Sequence, residues 1–116
     1  MGAPVVHFEI GCKDRDKTVK FYSSLFGWKI EPQGPAAMID TQGDGAGIGG
    51  HIIALGHEPH HFVNVYAQVN DLGAYLKKAE SLGGKTIVPP QEVPGMGSFA
   101  WFADPEGTTL GLWQPV

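Results

Sequence analysis

The chain has 116 residues, 42% of them hydrophobic, and a formal net charge of −4. That length supports one domain, or two very small halves sharing a core, and the apolar content excludes a disordered chain. Eight Lys and Arg against twelve Asp and Glu leave no basic footprint for nucleic acid, and no apolar run approaches the roughly 20 residues of a membrane span.

The first predicted element is a strand over about 4–11, carrying "VVHFEI" from Val5 to Ile10. Residues two apart in a strand point to one face, so His7 and Glu9 stand side by side there. Cys12 follows with the opposite parity. With no base or electropositive neighbour to activate it, it reads as a packed structural thiol. A lone cysteine also excludes an intrachain disulfide and fits a reducing compartment. The N-terminus shows no charged region followed by an apolar one, so a cytoplasmic location is expected.

Asp14 can cap a helix, whose apolar stripe is Val19, Tyr22 and Phe26 and whose end is marked by Gly27. Three strands are expected next, at about 28–32, 36–40 and 48–55. "GAGIGG", Gly45 to Gly50, has the letters of a phosphate-binding loop. A strand-like run follows it instead of the helix such a loop needs, so it reads as a turn. "HEPHH", His57 to His61, reads as an exposed connection with at most adventitious metal affinity.

A second strand–helix pattern begins at about 61–69. Asp71 is the cap, Leu72, Tyr75, Leu76, Ala79 and Leu82 the stripe, and Gly84 the expected helix end. Strands at about 85–88, 98–103 and 108–114 complete the chain. The two halves repeat. At an offset of 57 residues Asp14 falls on Asp71, Gly27 on Gly84, Ile30 on Ile87 and Pro32 on Pro89. The unit is βαβββ, used twice, over 1–57 and 58–116. Neither half is large enough to bury its own sheet face.

Paired βαβββ modules, "FYSSLFGW" from Phe21 to Trp28, "GIGG" before the fourth strand and "DPEGTTLGLW" from Asp104 to Trp113 resemble the vicinal-oxygen-chelate superfamily. That is the group of glyoxalases, bleomycin-resistance proteins and extradiol dioxygenases. The resemblance implies an α+β fold in which two modules form an incompletely closed eight-stranded barrel-like sheet around a small-molecule cavity, usually as a homodimer. It also implies, in many members, a divalent metal held by one side chain from the first and last strand of each module. Carried onto this chain at the uniform offset, those positions read His7, Ala54, Asn64 and Gly111. Only His7 is a usual ligand, and one ligand cannot hold a metal tightly. His51 supplies a second only if insertions shift the register, and by alternation it should face away from Ala54.

The expectation is therefore a binder of an unidentified small organic molecule without metal or other cofactor, and without nucleic-acid or membrane partners. Its pocket would be lined by His7, Glu9, Ala54, Phe62, Asn64, Tyr66, Thr109, Gly111 and Trp113. Alanine and glycine would leave space there, walled by aromatic rings. The alternative is a lyase, isomerase or oxygenase in which Glu9 acts as general base and His7 orients substrate, with or without a weakly held metal.

Overall fold

A computed structural model describes residues 2–43 and 45–116. Eight strands and two helices follow in the order β1 (Val5–Gly11), α1 (Arg15–Phe26), β2 (Lys29–Gln33), β3 (Ala36–Asp40), β4 (Gly49–Ile53), β5 (Phe62–Gln68), α2 (Leu72–Ser81), β6 (Lys85–Val93), β7 (Gly97–Ala103) and β8 (Thr109–Pro115). The fold is α+β, and the βαβββ order recurs in each half as expected.

Two compact units divide the chain at other points than the sequence repeat does. The first unit is His7–Asn64; the second joins Val65–Val116 to the residues up to Val6. Pro4 ties that leading segment to the second unit by accepting a hydrogen bond from the Gln68 amide at 2.8 Å.

In the first unit the strands run β2-β3-β4-β1. β1 and β4 are parallel and the other neighbours antiparallel. Asp14 caps α1 by accepting from the Lys17 amide at 3.0 Å, and Gly27 ends it with φ 71°. The core is Ile10, Cys12, Ala37, Ile39 and Ile52, with Phe8, Val19, Tyr22, Trp28, Ile30 and Ala54 packed against it. Even-numbered residues of β1 and β4 thus face the core, as strand alternation requires.

In the second unit the order is β5-β8-β7-β6, with β5 and β8 parallel. Asp71 caps α2 through the Ala74 amide at 3.0 Å. The core is Val69, Leu72, Leu76, Ala100 and Leu112. The helix end differs from expectation. Gly83, not Gly84, takes the left-handed conformation, with φ 98°. Gly84 is needed for close approach instead, since a Cβ there would stand 2.8 Å from the Ala103 carbonyl oxygen.

β6 also runs five residues beyond the predicted end, to Val93. Its pairing with β7 is irregular between Thr86 and Val88 and again between Val88 and Gln91. Pro89 and Pro90 lie in that second gap, and neither has an N–H for the ladder. The extra residues have a consequence for register. Glu9 pairs with His51 and Tyr66 with Gly111. Glu9 and Tyr66 are 57 residues apart, but His51 and Gly111 are 60 apart.

Candidate functional site

β1 and β4 present a second face opposite the core of the first unit. It carries His7, Glu9 and Gly11 from β1 and His51 from β4, with Met38 paired beside His51 on β3. A Cβ at Gly11 would run into the Phe62 ring, so Phe62 lies over this face. Asn64, two residues along the same strand, shares its side. The opposite side is closed by Phe8, whose ring would be 2.7 Å from a Cβ at Gly50.

Three of these side chains form a chain of hydrogen bonds. His7 Nε2 lies 2.7 Å from His51 Nδ1, and His51 Nε2 lies 3.1 Å from Glu9 Oε2. Glu9 is only 4% exposed, whereas both histidines are half-buried, so the chain runs from an interior carboxyl outward. Burial lowers the His7 pKa from its ordinary 6.5 to about 4, with His51 adding to the effect and Glu9 opposing it. His7 is therefore neutral at pH 7. Asn64 is also 4% exposed, and neither its amide nitrogen nor its oxygen has a hydrogen-bond partner. Buried amides are rarely left so.

His51 corrects the sequence reading. The uniform 57-residue offset gave Ala54 as the β4 position equivalent to Gly111 and turned His51 away. The true offset between β4 and β8 is 60, so the equivalent is His51. Three residues is an odd shift, and an odd shift exchanges the faces. Ala54 lies just past the end of β4 and packs with the core cluster, not with His7.

Gly111 does not leave the expected space either. A Cβ there would strike the Tyr66 ring, which fills the position. Tyr66 is buried, and its hydroxyl accepts a hydrogen bond from Trp101 Nε1 at 2.8 Å. Trp101 went unnoticed in the sequence because nothing local links it to Tyr66. Thr109 and Trp113 share the Gly111 side of β8 by alternation and are half-buried. Two clefts open on the second unit, about 420 Å³ beside Pro4, Gln68, Tyr75 and Gln114 and about 330 Å³ beside Tyr75, Leu82 and Phe102. None of the expected pocket residues lines either.

The remaining motifs behave as connections and core. Gly45 and Gly47 have φ near 85°, and strand β4 follows them, not a helix. His60 pairs with Glu58 at 3.3 Å and His57 contacts the Glu58 carbonyl oxygen. Cys12 is buried in the first core.

Within the first unit a divalent metal would draw on His7, His51 and Asn64. Two imidazole nitrogens bound to one tetrahedral zinc at about 2.0–2.1 Å stand roughly 3.3 Å apart. The His7 and His51 nitrogens are at 2.7 Å, a hydrogen-bond separation. Among the described residues no group of three His, Cys, Asp or Glu is placed to hold an ion. The donor set as arranged does not fit a coordination sphere.

A βαβββ unit used twice, with a polar face on the first and last strands of the first unit, defines a glyoxalase-like protein. The chain belongs to the Glyoxalase/Bleomycin resistance protein/Dioxygenase superfamily, whose family model matches residues 5–112. It is 32% identical over 130 aligned residues to the anthracycline biosynthesis protein DauV of Streptomyces sp. (strain C5), covering 97% of this chain and 47% of that protein. The chain thus spans about half the length of that relative. It is 30% identical to a glyoxylase-like domain-containing protein of Didymella fabae, covering 90% of this chain and 88% of the relative. The Mn(II)-bound glyoxalase from Novosphingobium aromaticivorans superposes with a TM-score of 0.68 at 18% identity, over 97% of this chain and 38% of that one. That likeness shows a shared fold. No helix among the described residues is long and apolar enough to cross a membrane.

Proposed function

We propose that this chain is a metal-independent small-molecule-binding protein, working as a cytoplasmic homodimer and using the His7–Glu9–Asn64 face as its site. The observation that carries the reading is Asn64. A buried amide with no protein partner costs stability, about 1–3 kcal/mol by mutational measure, unless something else satisfies it. A polar group of a bound organic molecule would supply what the protein withholds. His51 joins the expected site residues, whereas Ala54 leaves them.

A second reading, a lyase, isomerase or oxygenase, draws support from the hydrogen-bond chain. A neutral His7 backed by His51 and Glu9 has the base-and-orienter arrangement of acid–base catalysis. In it the roles exchange relative to expectation. His7 becomes the outward group and Glu9 the one behind.

A thermal-shift screen of the purified protein against hydroxy-aldehydes, thiol conjugates and aromatic antibiotics tests binding. The proposal expects a hit that raises the melting temperature equally before and after EDTA treatment and is lost in Asn64→Leu. A shift abolished by EDTA and restored by a metal would overturn it.

A further inference from the structure

The larger of the two clefts lies wholly within the second unit and has about 420 Å³, a volume in the range of small-molecule sites. Its walls include Pro4, Gln68, Asn70, Tyr75, Gln114 and Pro115. Hydrogen bonds already hold these walls in place. The Pro4 carbonyl oxygen accepts from the Gln68 amide at 2.8 Å, and the Trp113 carbonyl oxygen accepts from the Val69 amide at 2.8 Å. Gln114 Oε1 accepts from the Leu72 amide at 2.9 Å. Walls fixed beforehand reduce the ordering cost of binding.

The composition of the lining selects the ligand. Among the described residues no charged side chain lines the cleft. The N-terminus of α2 borders it, but there the Leu72 amide is taken by Gln114 and the Ala74 amide by Asp71, whose carboxylate also repels an anion. A charged ligand would therefore give up water for no partner of opposite sign. Three primary amides remain. Gln114, with its oxygen committed to Leu72, offers its NH₂ group, while the exposed Gln68 and Asn70 offer donor and acceptor alike. Hydroxyl groups also donate and accept, so amides match them whichever way each one turns. Tyr75, 40% exposed, adds an aromatic ring, and Pro4 and Pro115 add apolar surface. The C–H face of a sugar ring packs on such a surface while its hydroxyls reach amides at the edge. The smaller cleft lacks this set, since no Asn or Gln lines it.

We propose that this cleft is a further small-molecule site and that its ligand class is an uncharged sugar, with Tyr75 against the ring and Gln68, Asn70 and Gln114 on the hydroxyls. The site shares no residue with the His7–Glu9–Asn64 face and does not depend on the reading given to that face.

Proton–nitrogen correlation NMR of the intact protein, titrated with methyl glucoside and methyl galactoside, tests it. At least one of the two should produce saturable shifts in the side-chain amide signals of Gln68, Asn70 and Gln114 at millimolar concentrations. Glucuronate and glucosamine, rings of similar shape carrying a negative or a positive charge, should bind about fivefold more weakly. Tyr75→Ala should weaken sugar binding about tenfold, and Tyr75→Phe should retain most of it, because the ring face makes the contact. Gln68→Leu, at the exposed end of β5, should weaken binding about fivefold and serves as the test if Tyr75→Ala does not fold. Gln114 stays intact in these variants because it also bonds the first turn of α2. Asn64→Leu should leave sugar binding unchanged, so this site and the Asn64 face fail separately. Absence of saturable shifts with both neutral sugars, shifts that neither Tyr75→Ala nor Gln68→Leu reduces, equal or tighter binding of either charged sugar, or loss of binding in Asn64→Leu overturns the proposal.

Discussion

The same three positions are built in opposite ways in the two units. In the first, Glu9 pairs with His51, and His51 with Met38. In the second, Tyr66 pairs with Gly111, and Gly111 with Trp101. A carboxylate and an imidazole become an aromatic ring and a glycine. The second unit uses the arrangement to seal a face, since the Tyr66 ring fills the space above Gly111 and Trp101 holds its hydroxyl. The first unit keeps polar groups that a core would exclude and leaves Asn64 unsatisfied by protein. One backbone pattern has thus yielded a packing joint and a polar face, and the difference lies in side-chain volume and hydrogen-bonding capacity.

The largest effect should come from spoiling the seal. Gly111→Val forces side-chain atoms into the buried Tyr66 ring and should cost about 1–3 kcal/mol in urea denaturation, the range for overpacking. In the first unit the corresponding experiment should have the opposite sign. Asn64→Leu removes an unsatisfied buried amide at similar volume and should raise stability by about 1–2 kcal/mol while abolishing ligand binding. A destabilised Asn64→Leu protein would show that the amide has a role in the unliganded fold. Trp101→Phe deletes the donor to the Tyr66 hydroxyl and should cost about 1 kcal/mol without changing ligand affinity.

The first unit should also show a pH dependence. The His7 pKa is about 4 in the folded chain and 6.5 ordinarily. Between those values the unfolded state binds the extra proton, so stability is full above pH 6.5 and declines as pH falls toward 4. His7→Phe should flatten that part of the stability–pH profile, read by thermal melts from pH 7 to about 4. An unchanged slope would mean that His7 is not the group responsible.

What the sequence revealed and what it hid divide along the same physical line. Asp14 and Asp71 were readable as caps because a cap reaches only three residues ahead. The shared face of His7 and Glu9 was readable because strand alternation is local. The contact of His51 with Glu9, by contrast, spans 42 residues and depends on cross-strand register. The irregular β6–β7 hairpin around Pro89 and Pro90 moved that register by an odd number and reversed the face on which His51 stands. A signal was present, since the predicted third strands, 36–40 and 98–103, already break the 57-residue offset. Gly83 and Gly84 show the same limit at a smaller scale. Either glycine could end the helix, and only the Ala103 backbone beside Gly84 decides which one does.

The central claim is that His7 and His51 are bonded to each other and to Glu9 through protons, and not to a metal. Elemental analysis of the protein purified without a histidine tag tests it most directly. The account predicts zinc, nickel, iron and manganese all far below one ion per chain, with no change in His7→Ala. One ion per chain, lost in His7→Ala, would contradict it.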